Sequence, residues 1–260
     1  MNSMFDAVPL WLTFALTVAI ALLTAEIGYR AGIYRTRKSE DERQAPIDAL
    51  VGSTLGLLAF VLAFTFGMAT SRYDARQQLV LDEAIAINTA DLSAQLLPET
   101  HRSEVRALLG EYVDVRLKGV LVPGELPRAI SRSVELLEEL WSRAAALGKE
   151  ASTMPFAPAL TQAVSQMVDL HWKRVNAGVY NRLPGTIWIA LYCMMGLGMA
   201  IAGYRAGVAG SRSLIATLVQ VVAFSTAIGL ITDLDGPQEG LLKINQQAMI
   251  QLQGRLRGAE

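Results

Sequence analysis

Four stretches of the chain, residues 7–25, 49–71, 183–204 and 213–232, contain no Asp, Glu, Lys or Arg. Each is about 19–23 residues long, enough for a helix to cross a hydrocarbon layer of roughly 30 Å at about 1.5 Å per residue. A charge at mid-bilayer costs about 2.5–3.5 kcal/mol on insertion scales, so charge-free windows of this length are the mark of membrane spans. A mean hydropathy of +0.32 agrees. The reading is an all-α integral membrane protein with four transmembrane helices in two hairpins. Function is thereby confined to transport, conduction, sensing or scaffolding.

Between the hairpins lie roughly 110 polar residues, 72–182, long enough for a small domain. The expected divisions are a first transmembrane hairpin at 1–71, a helical extramembrane domain at 72–182, a second hairpin at 183–232 and a tail at 233–260. Leu79, Val80, Ala84, Ile87, Leu92, Leu96 and Leu97 follow a helical stripe, so the second span is predicted to continue out of the membrane until Pro98. Further helices are predicted at about 101–119, 127–149 and 157–181. Pro123-Gly124, Pro127, Pro155 and Pro158 punctuate them, and Pro184-Gly185 opens the third span. After the turn at Asp233, Asp235 and Pro237, a short amphipathic helix is expected to carry Leu241, Leu242, Ile244, Met249, Ile250 and Leu252.

Other classes are poorly supported. A net charge of −1 gives no reason to expect nucleic acid as a partner. The single cysteine, Cys193, sits inside a span and forms no intrachain disulfide. Asp6 is the only charged side chain before the first span, where a secretory signal would be basic. His101 and His171 lack metal-ligand spacing and read as helix-surface residues. No nucleophile elbow or phosphate loop occurs, and Glu135, Glu138 and Glu139 read as a solvated helix face. No enzyme, metal or cofactor is expected.

A five-residue repeat links the hairpins. Gly28-Tyr29-Arg30-Ala31-Gly32 closes the first span, and Gly203-Tyr204-Arg205-Ala206-Gly207 closes the third. Either Arg30 and Arg205 line an ion entrance, or the repeat is an interfacial anchor whose glycines allow close helix contact. The anchor is the simpler reading. Trp11 and Trp188, near the opposite ends of those spans, would form an aromatic belt. Glu26 and Arg30, four apart, can form a salt bridge at the membrane edge. Membrane orientation stays open. Arg30, Arg35, Arg37, Lys38 and Arg43 mark the first loop as cytoplasmic and the middle region as outside, while Arg72, Arg76, Lys173, Arg174 and Arg182 flank the other face.

The second span is the most specific helix. Gly52 and Gly56 form a small-xxx-small pair, and Phe60 and Phe64 share a face one turn apart. Facing an oligomer axis, such rings would make a hydrophobic constriction that closes by dewetting. Facing elsewhere, they pack on helices or lipid, which spacing alone favours. Arg72 and Arg76 share a face just beyond, either as anion-gathering charges at a pore mouth or as snorkelling arginines.

Here the chain resembles the bestrophin family. Phe60-Val61-Leu62-Ala63-Phe64 looks like the bestrophin neck, and Arg72-Tyr73-Asp74-Ala75-Arg76 looks like the segment that follows it in bacterial members with one residue missing. The run Ser71-Arg72-Tyr73-Asp74-Ala75-Arg76 is similar to one in a bacterial bestrophin-like family. The late Asp233-Leu234-Asp235 turn also matches in order. The resemblance implies a homo-oligomeric ion channel, a pentamer in a bacterial inner membrane. Its pore would be lined by second spans, with chloride or another anion the expected ion. Gly56, Phe60 and Phe64 would fall at the neck, with Gly56 a departure, since glycine closes a pore less well than an aliphatic residue. The animal calcium clamp is absent; Asp233 and Asp235 are too sparse for calcium. The competing reading, from another class, is a membrane-anchored sensor or assembly protein whose helical domain binds a partner without a pore.

Overall fold

The computed structural model describes residues 9–37, 47–149, 156–236 and 240–258. Asp6, Lys38, Glu40, Asp41, Glu42, Arg43, Pro155 and Pro237 lie outside the described residues. Among those described, every regular element is a helix: α1 Leu10–Thr36, α2 Ile47–Ala94, α3 Glu99–Leu121, α4 Leu126–Lys149, α5 Ala157–Val175, α6 Gly185–Val208, α7 Leu214–Asp235 and α8 Gln247–Gly258. A π-helical turn, Asn176–Tyr180, follows α5. Four helical segments are long and apolar enough to cross a membrane: α1, α2, one within Ala157–Val208, and α7.

The chain divides into two compact units. The first holds the described residues up to Tyr73 and from Arg182 to Leu242. Within it α1 packs chiefly along α6, with α7 also against α1. The buried stripe of α1 is made of small residues: Thr13, Thr17, Ala21, Ala25, Gly28 and Gly32. That composition lets two backbones meet. A Cβ at Gly28 would stand 1.9 Å from Ala200 O, and one at Gly203 would stand 2.1 Å from Ala25 O. Gly32 meets Tyr204 O and Gly207 meets Tyr29 O, each at 2.3 Å by the same measure. The numbering rises together on both helices, so they run parallel, and the contact maps onto itself when they exchange. The repeated pentapeptides are therefore each other's binding surface, and glycine is required because any side chain would occupy the partner's carbonyl. Farther along, Thr17 donates to Thr13 O at 2.8 Å, which leaves Tyr192 to donate its hydroxyl proton to Thr17 at 3.0 Å.

The second unit holds Asp74–Asn181 and the chain from Lys243. Consecutive helices α3, α4 and α5 pack in turn, and α8 lies on α3. The distal half of α2 contributes Val80, Ile87, Ala90 and Ala94 to a core shared with Leu109, Tyr112, Leu136, Leu140, Leu160, Met167 and Met249. Gly124, at φ 81°, makes the α3–α4 turn in a conformation that L side chains rarely adopt.

Several sequence expectations are corrected. Helix α2 ends at Ala94, and Pro98 instead caps the start of α3. Leu92 and Leu96 are exposed, because the buried phase runs through Val80, Glu83, Ile87, Ala90 and Ala94. The last middle helix does run to Tyr180, close to the expected end at 181, but its final turn from Asn176 takes π geometry. Trp188 is buried against α-helical neighbours in the first unit, not set in a lipid-facing belt, whereas Trp11 is exposed. The C-terminal helix starts only at Gln247, where the Asn245 side chain accepts the Gln247 N–H. Leu241, Leu242 and Ile244 precede it, since Asp233 claims the N–H groups of Leu241 and Leu242. His171 is fully buried, not a surface residue; its setting is described below.

Candidate functional site

From Leu58 onward, helix α2 buries one stripe. Leu58, Leu62, Thr65 and Ala69 are buried, and the phase continues through Arg76, Val80, Glu83 and Ile87. Successive residues turn by about 100°. Gly56, Phe60, Ala63 and Gly67 therefore fall roughly 140–200° from Leu58, on the side this chain leaves uncovered. Phe60 and Phe64 are 68% and 65% exposed. A Cβ added at Gly52, Gly56 or Gly67 would meet nothing within 4 Å. A glycine interrupts helix propensity by about 0.5–1 kcal/mol relative to alanine, and within one chain these three have no packing reason.

The two arginines beyond this face differ. Arg72 is partly buried; Arg76 is buried, with 4% of its surface exposed. At the other end of the first unit, the charges of the repeat are paired. Arg30 Nε donates to Glu26 Oε1 at 2.8 Å, and Arg212 Nη2 donates to Glu26 Oε2 at 2.8 Å. The Arg212 guanidinium also lies 4.9 Å from the centre of the Tyr29 ring, a cation–π distance. Arg205 pairs with Asp48. The carboxylates that end α7 serve the backbone: Asp235 accepts the Leu183 N–H at 3.0 Å, and Asp233 accepts those of Leu241 and Leu242 at 2.8 and 3.1 Å. Gly240 has no room for a Cβ, which would stand 1.8 Å from Asp233 Oδ1.

Sequence reading missed a buried ionic centre in the second unit. Glu83, on the buried stripe of α2, is fully enclosed. Tyr112 Oη donates to its Oε1 at 2.5 Å. Arg116 places Nε 3.0 Å from Oε1 and donates from Nη2 to Oε2 at 3.2 Å, and Arg174 also donates to Oε2. Arg174 continues to Gln246 Oε1 at 2.9 Å, so the centre joins α2, α3, α5 and the segment before α8. Burial opposes ionisation of Glu83, but the Arg116 and Arg174 charges outweigh it and hold the carboxyl at about 2. Burial, then the neighbouring Glu83 charge, pushes the Tyr112 phenol well up.

His171 closes the centre. Its Nδ1 is 3.3 Å from Tyr112 Oη, whose proton is committed to Glu83, so Nδ1 carries the hydrogen and donates. Its Nε2 is buried with no hydrogen-bond partner among the described residues. Burial first, then the Arg116 charge, lowers its pKa to about 4, and the ring is neutral. One signal could have exposed this centre. Glu83 falls in register between Val80 and Ile87, on a stripe that otherwise reads as core.

The geometry defines a multi-span helical membrane protein with a helical unit inserted between its spans. The fold is shared with solved structures. Two structures of a bacterial bestrophin homolog from Klebsiella pneumoniae, each with one substitution, match with TM-scores of 0.65 and 0.68 at 15% and 14% identity. These matches cover 95% and 96% of this chain and 97% and 98% of theirs. A third structure, of a membrane protein, matches with a TM-score of 0.64 at 14% identity, covering 94% of this chain and 95% of its own. No curated protein sequence gives a significant match. The family model for the bestrophin-like domain matches residues 10–249, and the chain belongs to that family. It is an integral membrane protein.

Proposed function

We propose that the protein is the subunit of an oligomeric ion channel, a pentamer passing anions across a bacterial inner membrane, with α2 lining the pore. Membership of the bestrophin-like family and the shared fold support a channel. The observation that carries the α2 assignment is the one-sided packing of that helix. Leu58, Leu62, Thr65 and Ala69 are buried inside the chain, while Gly56, Phe60 and Phe64 are left open on other faces.

In this reading Phe60 and Phe64 from neighbouring copies form the barrier. Ring edges carry partial positive charge and suit a partly dehydrated anion. Gly56 widens the path one turn away. Arg72 and Arg76 stand at the pore mouth; Arg76, buried within its own chain, contributes its field rather than a contact. Glu26 and Arg30 are an edge pair that holds the ends of α1 and the α6–α7 turn together through Arg212.

The test is conductance of purified protein in planar bilayers. Phe60→Ala with Phe64→Ala should raise unitary conductance or open probability severalfold, because a ring of methyl groups wets more readily. Equal currents from parent and variant, or a monomeric particle in nanodiscs, overturn the assignment.

A further inference from the structure

Helices α4 and α5 carry one pattern twice. Leu137-Glu138-x-x-Trp141 and Val168-Asp169-x-x-Trp172 each place an aliphatic residue, an acid and a tryptophan on one helix face. The two helices run antiparallel: Thr161 Oγ1 donates to Ala144 O at 3.2 Å. Counting six residues along each helix from there faces Glu138 with the turn that carries Asp169. All six residues of the doubled pattern line one groove of about 420 Å³. The acids therefore share its middle, and the indoles stand toward its two ends.

Three observations bear on what such a groove holds. Both indoles are unusually open for tryptophan, at 44% and 54% exposure. Neither Glu138 nor Asp169 has an ion pair among the described residues, and no Lys or Arg lines the groove. The arginines nearby in sequence are committed elsewhere: Arg132 to Glu111 and Glu135, Arg143 to Glu104, and Arg174 to Glu83. Two carboxylates facing one groove repel each other unless a cation lies between them. Indole faces attract cations as well, through their quadrupole. The volume falls in the range of small-molecule sites.

We propose that the α4–α5 groove binds a small organic ammonium cation, with Glu138 and Asp169 supplying the counter-charge and Trp141 and Trp172 the aromatic walls. The proposal uses no feature of α2 and stands apart from conduction.

The test is calorimetric titration of the full-length protein in maltoside detergent with choline. Its neutral carbon isostere, 3,3-dimethylbutanol, serves as the control of equal shape. The expected result is saturable choline binding at millimolar concentration and none by the isostere. Glu138→Gln with Asp169→Asn should weaken choline roughly tenfold or more, in line with two charge contacts at an open site. Trp172→Leu, which keeps both charges, should also weaken it. Circular dichroism confirms that each variant is folded. No saturable heat from choline, equal binding of the isostere, or unchanged binding in the charge-neutral variant overturns the proposal. So does protection of Trp141 and Trp172 from acrylamide quenching in the purified oligomer, which would assign the groove to a second copy of the chain.

Discussion

Glu83→Gln is the sharpest probe of the buried ionic centre. The substitution keeps the shape of the side chain and one carbonyl oxygen, so no cavity opens. Among the described residues, it removes the one carboxylate that pairs with Arg116 and Arg174, whose side chains are 6% and 11% exposed. Breaking a buried ion pair from one side costs about 3–5 kcal/mol, because the remaining charge stays desolvated without a partner. The amide oxygen recovers one hydrogen bond worth about 1 kcal/mol, which leaves a loss of roughly 2–4 kcal/mol. At about 2–4 °C per kcal/mol for a chain of this size, the thermal midpoint should fall by roughly 5–15 °C. The assay is a melting curve in detergent at pH 7.5, followed by intrinsic fluorescence. Arg174→Gln in the same background should return part of the loss, since it removes one of the two stranded cations. A single variant melting within 2 °C of the parent, or a double variant with strictly additive losses, would refute the account of Glu83 as the counter-charge.

Acid should weaken the fold in two steps. Folded His171 titrates at about 4 against an ordinary 6.5, so the unfolded chain binds more protons between those values and stability falls as pH drops from 6.5 toward 4. Folded Glu83 titrates at about 2 against 4.5, so a second loss runs from pH 4.5 downward. Melting midpoints from pH 7.5 to 4.5 should decline more steeply in the parent than in His171→Gln, and parallel curves would contradict the buried neutral ring. Gly203→Ala should destabilise by about 1–3 kcal/mol, because its methyl would overlap Ala25 O. The contrast is Gly110→Ala, where a Cβ meets nothing within 4 Å; there the midpoint should rise, in keeping with a gain of about 0.5–1 kcal/mol in a helix interior. Asp233→Ala strands two backbone N–H groups, so limited proteolysis between Gly240 and Gln246 should accelerate.

Much of the architecture was legible because lipid is a demanding solvent. Charge-free windows, proline punctuation and 3.6-residue periodicity located the spans and the helical middle region, while the family resemblance rested on the short motifs around Phe60–Phe64 and Arg72–Arg76. The site was legible only as candidates. Spacing puts Phe60 and Phe64 on one face and the resemblance puts them, with Gly56, at a neck, but neither says which face of α2 the rest of the chain occupies. Glu83 and His171 were overlooked or misread, because a single ionisable residue on a helical stripe looks the same whether its partners arrive from three other helices or from water.

The linear sequence alone determined that four segments must be helical and membrane-embedded, since an apolar stretch of that length can satisfy its backbone in lipid only by bonding to itself. It also carried the duplicated Gly-Tyr-Arg-Ala-Gly signature. Only the tertiary structure decided that the two copies of that signature meet face to face, and that one carboxylate holds two buried arginines. Only there do Leu137-Glu138-x-x-Trp141 and its counterpart on α5 line a common groove. Periodicity specifies which side of a helix is sticky. Which helix it sticks to depends on contacts between residues as far apart in sequence as Ala25 and Gly203, and those exist only once the chain has folded.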